Sequence, residues 1–157
     1  MEMIYLNYET LLKEADSLGL IVKEKPLQYN NGRIKGNRIA IRKDIETTVE
    51  KACVLAEELG HHYTAVGDIL DQSSAENRKQ EMRGRIVAYN KLVGLRGIVD
   101  AYLHHCQNLS ESAEYLGVTE EFLNDSIMYY KNKYGVFATV DNYTIVFEPT
   151  IAVIELI

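Results

Sequence analysis

Cys53-Val54-Leu55-Ala56-Glu57-Glu58-Leu59-Gly60-His61-His62-Tyr63-Thr64 is the segment on which the fold turns. A capping box stands just upstream, at Thr47-Thr48-Val49-Glu50, where Thr47 caps and Glu50 reaches back. A helix is therefore expected from there through His61 and His62, ending before Gly67. At about 100° per residue, with Glu57 set at zero, His61 falls at about 40°, Glu58 at about 100° and His62 at about 140°. Two carboxylates and two imidazoles thus share one arc, while Ala52, Cys53, Ala56, Gly60 and Tyr63 take the other side. The preceding turn, Ala52 to Ala56, is apolar all round, which predicts burial. Buried carboxylates and imidazoles need a compensating partner, because desolvating an unpaired charge is costly. A bound metal ion is one such partner.

The spacing suits that chemistry. Side chains at i and i+4 point the same way and can hold one zinc ion. A glutamate next to the first ligand can then act as base toward the zinc-bound water. The usual pattern is His-Glu-x-x-His. Glu57-Glu58-Leu59-Gly60-His61 matches it at the second and fifth positions and carries Glu where the first His stands. Carboxylates also bind zinc, although the added negative charge makes the bound water less acidic. Without a metal, Glu58 and His61 read as an i, i+3 hydrogen-bonded pair that solvates a helix face. His62 reads as a neighbour of the site or a surface residue. Tyr63 reads as a packing residue or as an oxyanion donor.

Outward from this helix the pattern changes. Tyr8 to Leu18 is amphipathic, with Leu11, Leu12 and Ala15 on one side and Gly19 as a stop. Leu20-Ile21-Val22 and Arg38-Ile39-Ala40-Ile41 are short β-branched runs. The turn signals Asn30-Asn31-Gly32 and Gly36-Asn37 separate them, which predicts a small antiparallel sheet. The strand around Arg38–Ile41 could accept an extended peptide along its edge. Downstream, a capping box at Ser73-Ser74-Ala75-Glu76 opens a helix to about Val93, and further helices are expected near 97–105, 110–116 and 119–133. Val136–Val140 and Tyr143–Phe147 flank Asp141-Asn142 as a hairpin, and Ile151–Ile157 forms a last strand. The fold class is α+β, with a helical core, a small N-terminal antiparallel sheet and a C-terminal β-hairpin region. Residues 1–157 are expected to form one domain, whose helical and hairpin C-terminal part starts at about 95.

Charge and composition narrow the partners. No run of 18 apolar residues predicts a membrane span, and Met1-Glu2-Met3-Ile4-Tyr5 lacks the start of a signal peptide, so a cytoplasmic location is expected. Cys53 and Cys106 are too few for a disulfide framework and read as buried thiols. A net charge of −6 gives no general attraction for phosphates, so no direct nucleic-acid binding is expected. Arg33-Ile34-Lys35-Gly36-Asn37-Arg38 and the cluster Arg78, Lys79, Arg83 and Arg85 read as solvated surface charge. Leu109 to Phe122 has the cadence of a helix-turn-helix. Its second helix opens Thr119-Glu120-Glu121, however, and those acids repel phosphates, so it reads as a structural helical pair. His104-His105-Cys106 reads as a packed or surface cluster, since adjacent helical residues diverge by about 100°.

At this point a family resemblance enters. Thr48 to Val93 resembles the core of the ImmA/IrrE family of metallopeptidases, above all at Cys53 to Thr64. Gly32 to Ile41 upstream, and Asp141-Asn142-Tyr143 with Phe147-Glu148-Pro149 at the end, extend the likeness over nearly the whole chain. The short members from phages and integrative elements of Gram-positive bacteria are the most similar.

The resemblance implies a zincin-like fold with a zinc cofactor. Glu58 would be the general base, and Glu57, His61 and Glu81 the metal ligands, with Glu76 the alternative to Glu81. It also implies an antirepressor: an endopeptidase whose protein partner is a phage-type helix-turn-helix repressor in a bacterial or phage-infected cell. The alternative is a catalytically inactive protein that keeps the peptidase fold and regulates a repressor by binding; Glu57 in place of His is the feature that favours it.

Overall fold

The first helix, α1 (Tyr8–Ser17), starts where Asn7 and Thr10 cap each other reciprocally, and the chain leaves it through Gly19 at φ +75°. The computed structural model describes residues 6–65 and 74–157. Among them it contains six helices and two three-stranded sheets. Two compact units, Met1–Ala88 and Tyr89–Ile157, divide the chain.

In the first unit, β1 (Ile21–Lys25), β2 (Gly32–Lys35) and β3 (Arg38–Arg42) form one sheet in the order β1-β3-β2. β2 and β3 make the expected antiparallel hairpin, turning at Gly36 with φ +60°. β1, however, pairs with β3 in parallel, so the sheet is mixed rather than purely antiparallel. The reason lies in burial. Ile39 and Ile41 are 2% and 0% exposed, the most buried residues of the sheet, and they draw β3 to the centre between two more polar strands. Central placement also occupies both edges of β3. The strand around Arg38–Ile41 therefore has no edge for an added peptide, and β1 and β2 have one each.

The next helix, α2 (Thr48–Thr64), begins under Thr47, whose hydroxyl accepts from the Glu50 amide at 3.1 Å. It lies on the inner face of the sheet and against α1. Leu55, Ala56 and Leu59 are fully buried along it, with Leu11 and Ala15 of α1. Each leucine removed from water contributes about 1.5–3 kcal/mol. After it, α3 (Ser74–Leu92) presents Gly84, Ala88 and Leu92 inward, on the side that also carries Glu81. The expected stop at Gly67 and cap at Ser73 lie outside the described residues.

The second unit holds α4 (Gly94–Leu103), α5 (Leu109–Leu116), α6 (Glu120–Tyr134) and a sheet of β4 (Phe137–Val140), β5 (Tyr143–Val146) and β6 (Ala152–Glu155). This sheet is antiparallel throughout, in the order β4-β5-β6, as the hairpin at Asp141-Asn142 predicts. α5 and α6 form the helical pair read from the sequence. Gly117 turns at φ +70°, Thr119 caps α6, and Ala113, Val118 and Phe122 are buried. The ring of His104 stacks on Tyr115 at 4.3 Å, His105 is exposed, and Cys106, expected to be buried, is only partly so, with its thiol donating to the Glu111 carbonyl at 3.6 Å. No helix among the described residues is long and apolar enough to cross a membrane.

Tyr130 is 2% exposed, and its hydroxyl both donates to Asn90 Oδ1 at 2.9 Å and accepts from the Gly94 amide at 3.1 Å. Burial raises its pKa above the ordinary tyrosine value, so it stays a neutral donor. Tyr130→Phe is expected to leave both partners unmatched and to cost about 1–3 kcal/mol in urea unfolding, with little change in the cooperativity of the transition.

Candidate functional site

Three glycines bring the site together. A Cβ on Gly60 of α2 would overlap the backbone carbonyl of Gly84 on α3, and one on Gly84 would overlap the imidazole of His61. The two helices therefore cross closer than any side chain permits, and His61 lies flat against the Gly84 backbone. On the other side, a Cβ on Gly32 would stand 2.6 Å from Val54 Cγ1 and 2.9 Å from Glu58 Oε1. The start of β2 is thus pressed onto α2 at Glu58. Helix, helix and strand close around two side chains, Glu58 and His61.

The result is a cleft of roughly 600 Å3 in the first unit. Gly32, Arg33 and Ile34 of β2 form one wall. Glu58, His61 and His62 of α2 form the floor, and Asn77, Gln80 and Glu81 of α3 form the opposite wall. A hollow of similar size in the second unit, roughly 630 Å3, is walled by Ile98, Leu116, Leu123, Ile127 and other largely apolar side chains. Among the described residues its lining has no carboxylate or imidazole, whereas the first cleft has both.

His61 Nε2 lies 3.2 Å from Glu81 Oε2, with the His61 side chain 13% exposed. Glu81 also approaches Arg85 Nε at 3.6 Å. Glu58 is 8% exposed. Its carboxyl is pushed up from 4.5 to about 7, first by burial and then by the charges of Glu81 and Glu57. At neutral pH it is poised between acid and base, the range in which a carboxylate transfers protons effectively.

Of the residues singled out in the sequence, Glu58, His61 and Glu81 come together in the cleft. Glu76 instead pairs with Lys79 at 3.9 Å on the exposed side of α3. Glu57 is half-buried on the flank of α2, near enough for its charge to act on Glu58 but not part of the cleft wall. Tyr63 points the other way. Desolvation, then the charge of Glu14 on α1 and a hydrogen bond to it, raise its pKa, and it is not among the residues lining the cleft. His62 lines the cleft with its ring edge toward Tyr63 at 5.7 Å. Asn77, Gln80 and the glycine contacts had no place in the sequence reading. A glycine in mid-helix, as at Gly60 and Gly84, is the one signal that marks a close backbone approach.

The donor set can be tested against zinc. In a tetrahedral site with bonds of about 2.0–2.1 Å, two ligand atoms stand roughly 3.3 Å apart. The 3.2 Å between His61 Nε2 and Glu81 Oε2 is that of a direct imidazole–carboxylate contact and also equals one edge of such a tetrahedron. Among the described residues, no group of three or more His, Cys, Asp or Glu side chains is gathered closely enough to hold a metal ion. The pair fits as two neighbouring ligands, and a third has to come from a side chain that turns toward it. No family model, curated protein or solved structure matches the chain.

Two outcomes follow from this geometry. A solvent-exposed helix glycine changed to Ala gains about 1 kcal/mol, but Gly60→Ala and Gly84→Ala are each expected to lose about 1–3 kcal/mol through overpacking, measured by urea unfolding. Glu58 supplies the second. Its folded pKa lies above its unfolded one, so the folded state is favoured at low pH and loses ground as pH rises from 4.5 through about 7. In metal-free buffer the wild-type protein should be less stable at pH 8 than at pH 4.5 by up to about 3 kcal/mol from this group, and Glu58→Gln should remove that share of the dependence.

Proposed function

We propose that this chain is a zinc-dependent endopeptidase of the ImmA/IrrE type, with a zincin-like fold, that acts as an antirepressor on a helix-turn-helix repressor. The observation that carries the reading is the buried Glu58, poised at about 7 in the same cleft as the His61–Glu81 pair. His61 and Glu81 would hold the zinc, with Glu57 as third ligand after a change of rotamer. Bound zinc supplies Lewis-acid polarisation of the scissile carbonyl. Glu58 takes the proton from the attacking water and returns it to the leaving amine. Its burial raises its basicity for the first step, and a bound zinc ion would draw its pKa back down.

The substrate would run along β2. This strand is a sheet edge, and its residues 32–34 form the cleft wall beside Glu58. An extended peptide added to that edge gains main-chain hydrogen bonds and places a carbonyl over the floor. The likeness of Cys53–Thr64 to the family motif supplies the repressor as partner, and with it the expectation of a cytoplasmic protein in a bacterial or phage-infected cell.

One observation favours a second reading, a catalytically inactive protein that regulates a repressor by contact. Glu57 stands where the first histidine ligand is expected, and it lies outside the cleft wall. The two readings separate in one experiment. The protein is incubated with the repressor encoded beside its gene, with zinc and with chelator, and the products are resolved by mass spectrometry. Zinc-dependent cleavage that falls at least about 100-fold in Glu58→Gln is the expected result. Release of the repressor from its operator with no new fragment, equal in wild type and Glu58→Gln, would give the binding role. Glu57→His, which restores the usual ligand, is expected to tighten zinc binding.

A further inference from the structure

The pleat of the first sheet sorts its charges. In β1, Lys23 and Lys25 point outward with Ile21, whereas Glu24 points inward and is held by Lys51 of α2. In β3, Arg38, Ala40 and Arg42 share the outward side, and in β2, Arg33 and Lys35 do. The register then aligns them in rows across the strands: Ile21, Arg38 and Lys35; Lys23, Ala40 and Arg33; Lys25 and Arg42. Every row carries two positive charges, and no row carries an acid. Arg42 is bound to Asp44. Lys23, Lys25, Arg33, Lys35 and Arg38 are all exposed and form no ion pair with the described residues. They line a shallow hollow of roughly 200 Å3 whose floor is Ala40.

Such a face works against the sheet that carries it. Like charges directly opposite each other across strands destabilise the pairing, and Lys35–Arg38 and Lys25–Arg42 are both such pairs. A chain with a net charge of −6 has acids enough to neutralise the face, yet among the described residues only Arg42 of its outward cations is paired, with Asp44. We propose that the outer face of the β1-β3-β2 sheet binds the phosphate backbone of a nucleic-acid duplex.

Three features select that partner. Cations stand about 6.6 Å apart along β1 and β2 and about 4.8 Å apart across the Lys35–Arg38 and Lys25–Arg42 pairs, with low Ala40 at the middle of the face. A duplex, at one charge per about 1.7 Å of axis, offers many phosphates over the same span. Outward strand positions hold only Lys, Arg, Ile21 and Ala40, and the neighbouring Asn31 side-chain oxygen accepts from Arg42 at 3.5 Å, so cations dominate the face, which suits backbone contact. No aromatic side chain stands among them to stack unpaired bases, as single-strand binders require. An acidic peptide carries its charges on a flexible chain and not at the fixed density of a duplex, and the polyglutamate arm of the test separates the two. The sequence shows Arg33, Lys35 and Arg38 as one basic stretch that reads as solvated surface charge, and the strand register adds Lys23 and Lys25 beside it. The proposal is independent of catalysis in the neighbouring cleft, although Arg33 belongs to both.

The test is fluorescence anisotropy with a labelled 24-base-pair DNA of arbitrary sequence, the full chain, and salt from 50 to 200 mM. With five phosphate contacts, affinity should fall several-hundred-fold over that range, a log–log slope of about −4.5. Lys23→Gln/Lys35→Gln/Arg38→Gln should flatten the slope to about −2, leaving a fall of only about 10-fold. Relieving like-charge pairs should leave its unfolding midpoint equal or higher, so lost binding would not reflect lost folding. The single variants Lys23→Gln and Lys35→Gln should each lower the slope by about one. No binding at 50 mM salt, binding unchanged in the triple variant, or tighter binding of polyglutamate of matched charge would overturn the proposal.

Discussion

The crossing of α2 and α3 at Gly60 and Gly84 is the contact on which the rest of the site depends. At that point the helices meet backbone to backbone, with no side chain between them. Helix axes ordinarily stand 8–10 Å apart because side chains fill the gap. Removing the Cβ at both residues closes it and brings Glu81 within 3.2 Å of His61. A wider crossing would leave the imidazole without its carboxylate partner and open the floor of the cleft to water.

The same closeness explains the electrostatics. Glu58 is buried beneath Gly32 on one side and faces the charges of Glu57 and Glu81 on the other. Desolvation and like charge act in the same direction, and both favour the protonated acid. A lone buried carboxylate would be a plain loss of stability. Here the cost is tied to a cleft with imidazole, carboxylate and amide groups in its walls, an arrangement typical of sites that move protons.

The mixed sheet has consequences on both its faces. Inward, Ile39 and Ile41 anchor it to α2 and so fix β2 beside Glu58. Outward, the same strand order collects basic residues from three separate stretches onto one surface. The edge of β2 joins the two regions through Arg33. A chain of negative total charge thus carries a cleft with Glu58 and Glu81 on one side of the sheet and a predominantly basic face on the other, with Arg33 in both linings.

Local pattern alone determined much of this. The caps at Thr47 and Thr119, the stops at Gly19 and Gly117, the hairpin at Asp141-Asn142 and the side of α2 that carries Glu58 and His61 are written in residues close together in the chain. Their physical causes, capping hydrogen bonds and helical period, act over a few residues. Glu81 was placed by its likeness to a family pattern, and its helix side by Gly84, Ala88 and Leu92. Tertiary structure decided what required distant segments to meet. Whether Glu57 lines the cleft depends on where α3 crosses, and Tyr63 turned to Glu14 because α1 packs on that side. β1 runs parallel to β3 because the most buried strand takes the centre, a competition among strands that no single strand records. Lys23 and Lys25 share a face with Arg33, Lys35 and Arg38 only through that register, since pairing across a sheet is set by burial and not by order along the chain.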